Sequence, residues 1–192
     1  MRNQKTRNKA RAVLRGLAQA AGSPKISTLT LAWATHGKAG DPNALRFREL
    51  VIDGVGLGAF VHHGKVTPFG WGTTPTQLEA IDRLLTLAPG DLPGGRVSLL
   101  VCHVCGDLGC RAVGATVERR WDLVSWRDLG EDDPLEGTVH TRGFEGVGPF
   151  HFEETAYRGV LEQLRREVLE APFVPRPRRL PPQPGSSGVG PR

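Results

Sequence analysis

The stretch Ser98–Val117, SLLVCHVCGDLGCRAVGATV, limits the possible folds of this chain more than any other. Val97 to Cys102 is a short continuous apolar run of the kind that forms a buried strand, and Ala112 to Glu118 is another. Between them, all three cysteines of the 192-residue chain fall within nine positions. A third strand-like run, Leu123 to Arg127, follows the Arg120-Trp121-Asp122 turn. The region therefore reads as an antiparallel meander with a cysteine corner between its first two strands.

The cysteine spacing is Cys102-x2-Cys105-x4-Cys110, with Gly106 directly after the second cysteine and Gly109 directly before the third. A C-x-x-C-G knuckle folds so that two thiolates converge on one point, and glycine permits the positive φ that such a bend needs. Cys110, returning on the opposite strand, supplies a third candidate ligand. Three thiolates make most of a zinc site, but structural zinc normally takes four protein ligands. His103 is adjacent to Cys102, and neighbouring side chains of an extended chain point apart. Asp107 lies in the corner but equally suits bonding to local backbone N–H groups. His62, His63, His140 and His151 reach the corner only if tertiary folding brings them there.

Two other readings of the corner stay open. A reactive Cys-x-x-Cys has its first sulfur at a helix N-terminus, whose dipole favours the thiolate. Here GDLGC and a strand-like run follow, so a thiol-dependent oxidoreductase using Cys102 and Cys105, with Cys110 as resolving partner, lacks that helix. Alternatively, three small reduced cysteines pack a tight hairpin as modest hydrophobes. An odd cysteine count fits metal-binding or free thiols in a reducing compartment better than a secreted disulfide framework.

The net charge of +5 is unevenly divided. Residues 1–48 carry ten Lys/Arg against the single Asp41, residues 172–192 carry four Arg and no acid, and residues 49–171 carry eleven bases against nineteen acids. The basic pI belongs to the two ends, and the body is acidic. Ala10, Val13, Leu14, Leu17, Ala18 and Ala21 recur at helical spacing among Lys9, Arg11 and Arg15, which predicts a short basic amphipathic helix over 8–21. This arm either packs on the body, frays, or contacts an anionic surface. Any nucleic-acid association through it is non-specific and salt-sensitive, because the acidic body repels phosphate. Arg15 and Gln19 interrupt what would have to be the apolar core of a secretory signal, so a cytoplasmic location is expected. No apolar run approaches the roughly 18 residues of a membrane span.

STLTLAWAT (27–35) alternates as a half-buried strand does, LRFRELVIDG ends a second strand at an Asp53-Gly54 turn, and VGLGAFV is a short element after it. HHGKVTPFGWGTTPTQ is an irregular connection in which His62 and His63 lie near Trp71, either lining a pocket or capping the core edge. Thr74 as N-cap, Pro75 at the first helical position and Gln77 closing a capping box predict a helix, with Leu78, Ile81, Leu84, Leu85 and Ala88 inward and Pro89-Gly90 as its stop. GEDDPLEG reads as an acidic loop. Glu131, Asp132, Asp133 and Glu136 cluster there without calcium-loop spacing, as a solvated turn does. The glycine-rich RGFEGVGPF leads into a last helix, with Glu153 and Glu154 at its positive end and Tyr157, Val160, Leu161, Leu164 and Val168 as its buried stripe. Beyond Ala171, seven of twenty-one residues are proline, the composition of a disordered tail. G-x-G-x-x-G after a strand, G-x-S-x-G and HExxH are all absent from the sequence.

From about Leu45 to Leu169 the sequence resembles an uncharacterised family of small bacterial proteins. The likeness rests on ELVIDGVGLGAFV, the FGWG loop before a helix, LLVCHVCGDLGCRAVGATVERRWDLVSWRDLG, and VGPFHFEETAYRGVLEQL. Members are sometimes labelled oxidoreductase, and similar short proteins resemble immunity or interaction proteins of bacterial competition systems. The resemblance implies no particular reaction, cofactor or active site. His103 stands where an acidic or small residue is more usual.

The expected protein is α+β: a small, mostly antiparallel sheet with two amphipathic helices packed on one face. The expected division is a basic N-terminal extension (1–44), a core domain (45–171) and a Pro/Arg-rich tail (172–192). The expected function is a non-catalytic cytoplasmic interaction module, immunity-like or regulatory, with an unidentified protein partner. In it Cys102, Cys105 and Cys110 play a structural part, with zinc as the candidate cofactor.

Overall fold

The computed structural model of the chain describes residues 24–38, 41, 44–60 and 64–171. The expected basic helix over 8–21 and the proline-rich tail lie outside these residues, as do His62 and His63. The fold is α+β, with two antiparallel sheets and three helices. In the first sheet β1 (Leu29–His36) pairs with β2 (Leu45–Ile52), which pairs with β3 (Val55–Gly56). Asp53 and Gly54 both have positive φ, 51° and 83°, the geometry that matches a two-residue hairpin turn to strand twist. The single-turn helix α1 (Leu57–Phe60) follows and buries Leu57.

The second sheet runs β4 (Lys65–Val66), β5 (Val97–Cys102), β6 (Ala112–Arg120), β7 (Leu123–Asp133) and β8 (Thr138–His140), with β9 (Phe150–Glu153) on the same edge of β7 as β8. Five of the six residues of β5 are buried. A strand covered on both faces needs no polar alternation, which is why VSLLVC is nearly continuous in apolar residues. Helices α2 (Thr74–Leu84) and α3 (Glu154–Glu170) pack on each other, with α2 also against β5 and α3 against β7. No helix among the described residues is long and apolar enough to cross a membrane.

The centre of the core is aromatic. Trp126 of β7 meets the ring of Phe152 edge-on at 5.1 Å and that of Tyr157 at 6.1 Å. Trp126 Nε1 donates to Tyr157 Oη (3.1 Å), which donates in turn to Leu84 O (3.0 Å). Every polar atom of this buried chain is satisfied, and it ties β7, α3 and the end of α2 together.

Four expectations are corrected. The N-cap of α2 is Thr73, not Thr74: Thr73 Oγ1 accepts from Thr76 N at 3.3 Å. Gln77 does not close a capping box, because its buried amide accepts from Gly70 N (2.8 Å) and donates to Gly72 O (2.6 Å), serving the FGWG turn instead. The expected acidic loop is the end of β7 and a hairpin into β8 rather than a solvated turn. Asp132 is 1 % exposed and takes a two-pronged bond from Arg96, whose guanidinium also donates to Gly114 O and Asp128 O. Glu131 pairs with Lys65, and Asp133 with Arg111. A base beside each of these acids offsets part of the desolvation cost of burying it, and removing that base would leave an uncompensated charge. The glycine-rich stretch does not run straight into α3: it buries Phe144 in the core and forms β9 first.

Candidate metal centre

The corner is built by backbone geometry. β5 ends at Cys102, Gly106 N donates to Cys102 O at 2.8 Å, and Gly106 adopts φ 71°. A Cβ at Gly106 would sit in ordinary contact with the Trp71 ring at 3.4 Å, so it is the positive φ that favours glycine at the bend. The amides of Cys105 and Val104 donate to the Cys102 sulfur. A 3-10 turn at Leu108–Cys110, capped by Asp107 Oδ1 accepting from Gly109 N at 2.7 Å, then brings Cys110 Sγ to 3.5 Å from Cys105 Sγ. The Sγ atoms of Cys102, Cys105 and Cys110 all lie within 4.8 Å of one another. Zn–S bonds of about 2.3 Å at tetrahedral angles place sulfurs about 3.8 Å apart, a separation close to the one seen here.

The packed-thiol reading is not what the structure shows. From Cys102 to Arg111 no residue is buried, and Cys105 and Cys110 are exposed. The corner lies past the buried end of β5, so thiols there cannot serve as core hydrophobes. The redox reading also lacks its usual activator, since only a 3-10 turn follows the knuckle.

The electrostatics of the three sulfurs differ. The Cys105 and Val104 amides hold the Cys102 thiol below its usual range, because N–H donors favour the thiolate. Cys110 is pushed up to about 11 by its hydrogen bond with Cys105 and by the charge on that sulfur. The first thiolate forms readily and the last resists, as expected of like charges gathered at one point. A bound cation removes that resistance.

None of the described candidates for a fourth ligand joins the sulfurs. His103 Nδ1 lies 2.6 Å from Gly64 O, and its ring packs tilted, at 45°, against His36 with centroids 4.1 Å apart. His151 Nδ1 bonds Ser125 Oγ at 2.8 Å, and Asp107 is taken by Gly109 N. His140 sits with Asp133 and Glu136 at the β7–β8 hairpin. Asp133 there accepts from Leu135 N, Glu136 N and Arg111 Nε, and the Glu136 amide, with those other donors, holds its carboxyl below the ordinary range. That cluster is a capped turn with its own cation already in place.

A cavity of about 390 Å³ adjoins the corner, with Trp71, Ala80, Arg83, Val101 and Cys105 in its walls. Trp71 Nε1 donates to Thr67 O at 2.6 Å, which fixes the indole as one wall. In the sequence, Trp71 marks a candidate pocket, but one lined by His62 and His63, which lie outside the described residues. No family model, curated protein or solved structure matches the chain.

Proposed function

We propose that Cys102, Cys105 and Cys110 bind a structural zinc ion, and that the domain so fixed is a non-catalytic interaction module of a reducing compartment such as the cytoplasm. The observation that carries this reading is the convergence of three sulfurs in a stretch where no residue is buried. Apolar packing does not hold this corner, and a soft dication with a preference for thiolates would. Zinc also neutralises the repulsion that keeps Cys110 protonated. Fixing the knuckle would also fix Val104 at its crest, 54 % exposed.

Hydrogen exchange tests the reading. With equimolar zinc, the amides of Val104, Cys105 and Gly106 are expected to become at least about tenfold more protected. Cys110→Ser should abolish the gain. Equal protection with zinc and with chelator would overturn the reading.

A dithiol role is the second reading, favoured by the 3.5 Å between Cys105 Sγ and Cys110 Sγ. Joining them as a disulfide passes two electrons and two protons to an oxidant. Mild oxidation of the zinc-free protein that leaves Cys105 and Cys110 unlinked would remove it.

A further inference from the structure

A zinc ion on three protein thiolates has one coordination position left, and among the described residues no side chain of this chain fills it. In structural sites that position is closed by a fourth protein ligand, whereas sites that take exogenous ligands keep it open. The corner is not surrounded by bulk water on every side. Cys105 is shared between the sulfur triad and the cavity of about 390 Å³, a volume that suits a small organic molecule.

The cavity has a definite character. Its apolar walls include Val101, Ala80 and the immobilised indole of Trp71. Its charged groups are Glu79 and Asp91 against Arg83 alone. Arg83 is occupied by both acids, at 3.2 Å from Glu79 and 3.8 Å from Asp91. Asp91 also accepts from Ser98 N (2.9 Å) and Ser98 Oγ (2.7 Å), which roots it in β5. One negative charge is left over. Zinc with three thiolates carries another, so a cationic group is favoured in this space. A soft donor is favoured at the metal.

We propose that the cavity binds a low-molecular-weight aminothiol, whose sulfur completes the zinc site and whose ammonium answers the acidic wall at Glu79 and Asp91. This rests on the three-thiolate zinc reading above. On binding, the ligand's S–H proton passes to solvent, its thiolate displaces a water from the metal, and no electron is transferred. The corner then senses a small molecule as well as holding shape.

The test uses full-length protein loaded anaerobically with cobalt(II), titrated with cysteamine, 2-mercaptoethanol and ethanolamine, with cobalt–thiol mixtures lacking protein subtracted. Cysteamine should raise the sulfur-to-cobalt charge-transfer absorbance by about one third, as the sulfur count goes from three to four. It should bind about tenfold more tightly than 2-mercaptoethanol, and ethanolamine should leave the band unchanged. In the zinc protein, cysteamine should quench Trp71 fluorescence, read as the signal that Trp71→Phe removes. Glu79→Gln, an exposed position, should erase the preference for cysteamine while leaving the unliganded cobalt band intact. A normal three-sulfur band that no thiol alters, with no quenching, overturns the aminothiol site and spares the zinc reading. Equal affinity for the two thiols, or loss of the whole band through metal stripping, also overturns it. A protein that shows no cobalt–sulfur band at all overturns both.

Discussion

Two regions of this molecule hold themselves together by opposite means. Around Trp126 the chain closes on itself: the indole is fully buried, its N–H has a partner, and the Tyr157 hydroxyl passes the chain of bonds to Leu84. Burial also pushes the Tyr157 phenol well above its ordinary range, so it stays a neutral donor. At the cysteine corner no residue is buried, and its fixed points are backbone bonds, one glycine bend and three sulfurs. A core made of carbon is complete when the chain folds. A corner of three converging sulfurs could hold a metal ion supplied from outside the chain. This difference separates the part of the molecule that supplies stability from the part that could take a metal ion.

The contrast breaks most visibly at the core. Trp126→Ala should lower unfolding free energy by about 3–5 kcal/mol, measured by urea denaturation, with the same loss in zinc and in chelator. A zinc-dependent loss would mean that the two regions are one unit. Tyr157→Phe removes the link between Trp126 and Leu84 and should cost about 1–3 kcal/mol, again without regard to metal. At the corner, Gly106→Ala puts a side chain at positive φ and should cost about 1 kcal/mol, with a larger loss in zinc affinity than in stability.

The smallest effect is acid sensitivity. Asp53 is held below the ordinary carboxyl range by the Thr28 amide, then by Lys25, and Glu153 by the amides of Ala156 and Thr155. A carboxyl with a folded pKa below its unfolded one contributes fully above the unfolded value. That contribution disappears as pH falls through the folded value. Urea midpoints should therefore decline as pH falls below the usual carboxyl range of about 4. Asp53→Asn with Glu153→Gln should flatten that decline and leave the pH 7 response to zinc unchanged.

The sequence made the meander, both long helices and the sulfur spacing legible, because each depends on residues close together in the chain. Gly106 after Cys105, or Leu161 and Leu164 on one helical face, can be read locally. The end of β7 could not be read this way. GEDDP looks solvated until Arg96, thirty-six positions from Asp132, and Lys65 supply its charges. The two-residue β4 and four-residue β9 are too short to show a pattern of their own. For the corner, spacing revealed that three sulfurs could meet. That they meet in an exposed stretch beside a cavity depends on where β5 ends relative to α2, which no local pattern records.

Metal content is the most direct test of the central claim. Protein purified under reducing conditions, incubated with excess zinc and desalted, should retain a single zinc per chain by elemental analysis, and Cys102→Ser, Cys105→Ser and Cys110→Ser should each lose it while keeping the native fold. Wild-type protein that emerges with three titratable thiols and no zinc would contradict the account.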